Sequence, residues 1–289
     1  MKICTSVFIF LLLATIAAAE VPTHTYSIVA RDPQTGELGV AVQSHYFSVG
    51  QRVPWAEAGV GAIATQSFTE PSYGALGLQL MKAGKSAPDA LKALIAADSN
   101  ADVRQVAMID ANGNVSAHTG KKCIADAGHF IGKNYSVQAN LMANANVWPA
   151  MSQAFESATG SLGDRMLAAL EAAQAAGGDI RGEQSAAILV VSGKPTGISW
   201  KDRILDLRVE DNPHPVQELR RLMRIQEAYH HEDLGDNYIA ENNLDAAFAE
   251  YEKASQLEPQ NDELRFWFAV SLVTTKEKEK GLKLFKEIF

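Results

Sequence analysis

The order in which strand-like and helix-like segments succeed one another limits this chain more than any single motif. Residues 25–30 (TYSIVA) and 38–43 (LGVAVQ) are rich in β-formers, and the turn cluster Arg31-Asp32-Pro33-Gln34-Thr35-Gly36-Glu37 separates them. Two such runs around a Pro/Gly loop predict a hairpin. A third strand is expected over 59–66 (GVGAIATQ), after a loop at Pro54-Trp55. Its Gly and Ala residues point to close backbone packing or a bend. Two helices follow: 73–83 has apolar residues at helical spacing, and Ser86 offers an N-cap, with Asp89 three positions on, ahead of 90–97.

A second hairpin, 103–110 with 115–119, turns at Asn112-Gly113, the strongest short turn signal present. Residues 135–141 make another strand. Then come a second helix pair, 147–157 and 162–176, stopped by Gly177-Gly178, strands at 185–191 and 204–209, and a helix at 215–229. Strands grouped in hairpins and helices grouped in pairs predict antiparallel sheets covered by helical layers, not a doubly wound parallel sheet. Gly59-Val60-Gly61 lies inside an apolar strand and lacks a third glycine, so it is not a dinucleotide fingerprint.

Residues 1–19 (MKICTSVFIFLLLATIAAA) have a different character. One lysine, an apolar run and a small-residue end form the pattern of a cleaved secretory signal. The run is short for a bilayer, which needs about 20 apolar residues. Cleavage after Ala19 leaves Glu20 first, and an exported protein, periplasmic or extracellular, is expected. No later apolar run is long enough to cross a membrane, so no membrane association is expected once the leader is gone. Cys123 is then the one remaining cysteine and has no internal bridge partner. A net charge of −8 without long runs argues against nucleic acid and anionic membrane surfaces.

The C-terminal piece follows a repeat. Leu234, Gly235, Tyr238, Ala247, Tyr251, Ala254 and Pro259 keep the small-residue and aromatic phase of a 34-residue tetratricopeptide frame starting at Ala228. A second frame from Asp262 places Phe268, Ala269, Leu272, Gly281 and Phe285 in phase. About two repeats are too few to stand alone, so these helices are expected to dock on the main domain or on a second copy, or to recruit a protein partner.

Chemistry is signalled sparsely. There is no G-x-S-x-G, H-E-x-x-H or C-x-x-C pattern, and His118, Cys123 and His129 lack a fourth ligand, so neither metal nor cofactor is expected. A threonine at a chain's N-terminus can attack a carbonyl, because its own α-amine, of pKa near 8, is the general base. Thr25 lies shortly after the leader, and such chemistry requires the bond between His24 and Thr25 to be cut. From the residues alone, Thr25 and Ser27 read better as ordinary strand residues on one face of the sheet than as a nucleophile and its neighbour. Ser44, Gln66, Asn140 and Ser185 sit at or near strand ends where polar side chains can converge on an acyl-transfer site. Arg181 is a candidate for a substrate carboxylate and His118 a second substrate-binding candidate.

TYSIVARD, GELGVAVQS, VPWAEAGVGAIATQ, PSYG, AHTG, YSVQANLM, GGDIRGEQSAAILVV and DLRVEDNPHPVQELRRL occur in that order. This series resembles domain-of-unknown-function family 1028 over roughly residues 24–228, and longer members of that family end in a similar helix pair. The resemblance implies the N-terminal-nucleophile (Ntn) hydrolase superfamily. Its fold is an α+β four-layer αββα sandwich of antiparallel sheets, and Thr25 falls at the position of that superfamily's nucleophile. The expected organisation is a signal peptide (1–19), an Ntn-hydrolase-like domain (24–228) and tetratricopeptide-like repeats (229–289). The expected activity is hydrolysis of a small amide or peptide-like bond. The competing expectation is a catalytically silent Ntn-fold ligand-binding domain whose repeat helices serve partner or self association.

Overall fold

The computed structural model describes residues 22–23, 25–275 and 277–288; the expected leader lies outside the described residues. The fold is α+β, with two antiparallel sheets, eight α-helices among the described residues and a helical C-terminal region. One sheet contains β1 (Pro22–Thr23), β4 (Pro54–Glu57), β5 (Gly61–Phe68), β6 (Arg104–Asp110) and β7 (Val115–Thr119). Its order is β1-β5-β6-β7, and β4 pairs with β5 beyond β1. The other holds β2 (Thr25–Arg31), β3 (Leu38–Ser44), β8 (Gly128–Gly132), β9 (Tyr135–Asn140), β10 (Ser185–Val191) and β11 (Arg203–Val209), in the order β11-β10-β3-β2-β9-β8.

The central strands are covered on both faces, which explains their nearly unbroken apolar runs. Tyr26, Ile28 and Ala30 of β2 face helices α3 (Val147–Ser157) and α4 (Leu162–Ala175), where Met151, Phe155, Met166 and Leu170 complete a cluster. Val29, between them in sequence, faces the other way and packs with Val40, Val42, Ala62, Ala64, Ala107 and Ile109. Those residues come from both sheets, so the second cluster is the filling between them. Ile63, Val106 and Met108 point outward again, onto Tyr73, Leu78 and Leu91 of α1 (Ser72–Lys82) and α2 (Ala87–Ala97). Each buried Val, Leu, Ile, Met or Phe among them contributes about 1.5–3 kcal/mol relative to an exposed one.

Local signals act as their chemistry dictates. Ser86 Oγ accepts from Asp89 N at the start of α2, and Ser161 with Asp164 forms a reciprocal capping box on α4. Gly113 takes φ +85° in the turn between β6 and β7, a conformation a side chain would resist. Three strands are not apparent in the sequence: the two-residue β1, β4, where a loop is expected at Pro54-Trp55, and the edge strand β8.

Four helices form the C-terminal region: α5 (Pro215–Ala240), α6 (Leu244–Leu257), α7 (Asp262–Thr274) and α8 (Lys278–Ile288). Helix α5 extends past the expected end at 229, because 230–240 contains no proline and its one glycine, Gly235, is used for packing. A Cβ there would lie 2.7 Å from the Tyr251 ring. The small residues of the 34-residue frame are the buried ones, Ala228, Ala247, Ala254 and Ala269 among them. No helix among the described residues is long and apolar enough to cross a membrane.

Candidate functional site

The strand register places four of the expected site residues in one row. Ser185 on β10 pairs with Ser44 on β3, Ser44 with Thr25 on β2, and Thr25 with Asn140 on β9. One pleat further in, Ser27 is opposite Gln138. On the facing sheet Gln66 of β5 pairs with Gln105 of β6, and Gln105 with Thr119 of β7. By strand alternation these residues share the inward phase of Val29, Val42, Ala64, Ala107 and Ala187, which belong to the inter-sheet cluster.

These side chains form one network. Thr25 Oγ1 donates to Ser44 Oγ at 3.1 Å. Ser27 Oγ donates to Gln66 Oε1 at 2.6 Å and accepts from Gln138 Nε2 at 3.2 Å. Gln66 Nε2 holds the backbone carbonyl of Thr25 at 3.0 Å and donates to Gln105 Oε1 at 2.7 Å. Asn140 Nδ2 donates to the same Gln105 oxygen at 2.9 Å. Gln105 Nε2 in turn faces Thr119 Oγ1 at 3.0 Å and the Ala139 carbonyl at 2.9 Å. Thr25, Ser27, Ser44, Gln66, Gln105, Gln138 and Asn140 are all fully buried. A hydrogen bond at such depth is worth keeping: an orphaned partner costs about 1–3 kcal/mol. Gln138 Oε1 is buried without a partner among the described residues.

At the open edge Thr119 Oγ1 and His129 Nδ1 are 2.8 Å apart, which joins β7 of one sheet to β8 of the other. Burial, and secondarily His118, holds the His129 pKa below the ordinary histidine value. The lowered pKa favours the neutral imidazole at pH 7, and the same threonine oxygen accepts from Gln105 Nε2. Two backbone positions beside the cluster are strained: Ser67, after Gln66, has φ +68°, and Leu141, after Asn140, has φ +54°. Left-handed conformations outside glycine cost about 1–3 kcal/mol each and gather at functional sites.

The remaining expected residues have other duties. Ser185 Oγ donates to the Tyr46 carbonyl and accepts from Val49 N, fixing the loop after β3. The Arg181 guanidinium makes a two-point contact with Asp179 (Nε to Oδ1 3.1 Å, Nη2 to Oδ2 2.7 Å), and Asp179 also accepts from His45 N, one residue past Ser44. That ion pair stands beside the Thr25 row, at the same sheet end. His118 does not join the site; it is on the opposite face of β7, with Nε2 2.8 Å from the Ala101 carbonyl. Asp110, at the far end of β6, caps the 111–114 turn and α2. Gln105, Gln138, Thr119 and His129 are additional members; the one signal for the first three is an amide or hydroxyl on the inward phase of a strand, and His129, on the short edge strand β8, has none. Among the described residues no group of three or more His, Cys, Asp or Glu side chains is placed to hold a metal ion.

The model of a family described as of unknown function, DUF1028, matches residues 25–219. The chain belongs to the DUF1028 family. The matched segment begins at Thr25 and takes in every residue of the network. Among solved structures the chain is similar to the crystal structure of protein SPO2555 from Silicibacter pomeroyi, itself described as DUF1028. The two are 30% identical with a TM-score of 0.62, over 70% of this chain and 88% of that one. No curated protein matches the chain.

Proposed function

We propose that this DUF1028 protein is an exported amidohydrolase of the Ntn type, built as a four-layer αββα sandwich, with Thr25 as its nucleophile. The observation that carries this reading is the position of Thr25: first residue of a central strand, hydroxyl turned between the sheets, backbone carbonyl held by Gln66. With the preceding residues removed, the Thr25 amine takes the proton of its own hydroxyl as Oγ1 attacks a substrate carbonyl. The C–N bond breaks, that proton leaves with the amine product, and water hydrolyses the acyl ester on Oγ1. Asn140, beside Thr25 in register, supplies an amide donor for the developing oxyanion. Gln66 and Ser44 position the nucleophile.

The C-terminal helices are read as tetratricopeptide-type pairs, supported by the burial of the in-phase small residues and the seat of Gly235 on Tyr251. Their proposed role is association with a partner or a second copy. A second reading, a catalytically silent ligand-binding domain, is favoured by one observation: with residues 22–23 still paired to β5, Thr25 is fully buried.

A peptide epoxyketone separates the two, because it closes a ring only with a hydroxyl and a free amine on the same threonine. Protein recovered after export should carry the adduct on Thr25, and Thr25→Ala should carry none. An unlabelled parent protein would leave the ligand-binding reading standing.

A further inference from the structure

A cavity of about 550 Å³ opens on the helix-covered face of the six-stranded sheet, where α4, β11 and α5 meet and Leu257 of α6 closes one side. It lies away from Thr25. Glu37, on its wall, adjoins Leu38, which pairs with Arg31, six residues along β2 from Thr25. At ~3.3 Å per residue that is roughly 20 Å. The floor is hydrocarbon, from Leu167, Val190, Leu205 and Met223. Its volume is within the range of small-molecule sites, about 300–1,000 Å³.

The charges on the wall are unequal. Arg220 and Arg224 reach the cavity, but each is already held: Arg220 by Glu171 through Nε and Nη2, Arg224 by Glu258 at 2.6 Å. Asp164 is engaged with Ser161 in the α4 capping box. Glu37 and Glu227 line the same space with no ion-pair partner among the described residues. Burial, with Asp32 adding to it, pushes the Glu37 carboxyl above the usual carboxylate range, against the smaller opposing influence of the Thr35 hydroxyl and the Arg165 charge. Met223, Glu227 and His230 recur at helical spacing and so present one face of α5 to the cavity.

We propose that this cavity binds a small amphipathic cation, an apolar body resting on Leu167 and Met223 with an ammonium group drawn to Glu37 and Glu227. Such a ligand touches both the sheet and the C-terminal helices, so its occupancy links the two parts of the molecule. This site stands or falls independently of the Thr25 reading.

Calorimetric titration of the full chain with hexyltrimethylammonium, hexan-1-ol and hexanoate tests the assignment. The cation should bind at least about tenfold more tightly than the alcohol or the carboxylate, a difference of about 1.4 kcal/mol. Its affinity should fall as salt is raised, since the attraction is to partly exposed carboxylates. The double variant Glu37→Gln/Glu227→Gln should bind it about tenfold more weakly, with an unchanged urea midpoint. Equal binding of the three probes, preference for hexanoate, no binding of the cation, or a salt-independent affinity would each overturn the proposal. The salt series uses the parent chain alone, so it decides the matter even for a variant of lowered stability.

Discussion

The space between the two sheets has two ends made from the same strands. Along β2 the inward positions are Val29, then Ser27 and Thr25; along β3 they are Val40 and Val42, then Ser44. On the facing sheet Ala62 and Ala64 give way to Gln66, and Ile109 and Ala107 to Gln105. One end is closed by hydrocarbon and the other by a network of amides and hydroxyls at the same depth. The difference teaches what each end is for. An apolar side chain of similar shape would fill the polar end with no donors to satisfy, and such replacements are often neutral or stabilising when both partners are exchanged. Stability alone therefore does not explain why the network is polar. Its presence beside two strained residues, Ser67 and Leu141, fits a site kept for chemistry.

The largest contrast should appear in turnover. Thr25→Ala is expected to lower amide hydrolysis by about a thousandfold or more, as loss of a nucleophile does in other hydrolases. Its stability cost should stay within the ~1–3 kcal/mol of buried partners left unsatisfied. Amine release from a panel of amides, together with urea unfolding, measures both; equal turnover by parent and variant would remove Thr25 from the mechanism. The apolar end should show the reverse, so Val40→Ala is expected to lower stability without a specific loss of turnover.

A finer contrast uses swaps that keep volume. Gln105→Met strands the Gln66 and Asn140 amides that now meet at Gln105 Oε1, and a loss of about 2 kcal/mol or more is expected. Ile109→Leu, on the same strand and face, should cost less than ~1.5 kcal/mol. Comparable urea midpoints for the two variants would show that the polar end is no more exacting than the apolar one.

The smallest expected effect is a pH dependence confined to the polar end. His129 has a folded pKa below its unfolded value near 6.5, so the unfolded chain binds more protons in the window between them. Stability from this group is present above pH 6.5 and is lost as pH falls through that value toward the folded pKa. His129→Gln should flatten this part of a urea-midpoint profile between pH 7.5 and 5, whereas Ile109→Leu should leave its slope unchanged.

Much of this architecture is legible in the chain because its determinants are local. Asn112-Gly113 specifies a hairpin through one positive-φ position, and Ser86 with Asp89 specifies a helix start. Apolar runs such as 185–191 mark strands buried on both faces. The strands that escape notice are those whose residues lack such signals. β8 is a five-residue edge strand with glycine at both ends and with Phe130 and Ile131 exposed, and β4 opens with proline. Ser44, Gln66, Asn140 and Ser185 are recognisable as strand-end polar residues, and the structure brings the first three together with Thr25 and Ser27 while Ser185 fixes the loop after β3. Gln105 and Gln138 are harder to identify, because their partners are set by the register between two sheets, which no local pattern encodes. His118 and His129 show the same limit: both lie near a turn, yet strand alternation directs one to the Ala101 carbonyl and the other into the network.

The central claim is that Thr25 becomes the first residue of the working protein. Intact-mass measurement of the chain recovered after export tests it most directly. The account predicts a single species beginning at Thr25, lacking residues 1–24. A homogeneous species beginning at Glu20 would contradict it, since Thr25 would then have no free amine to act as base.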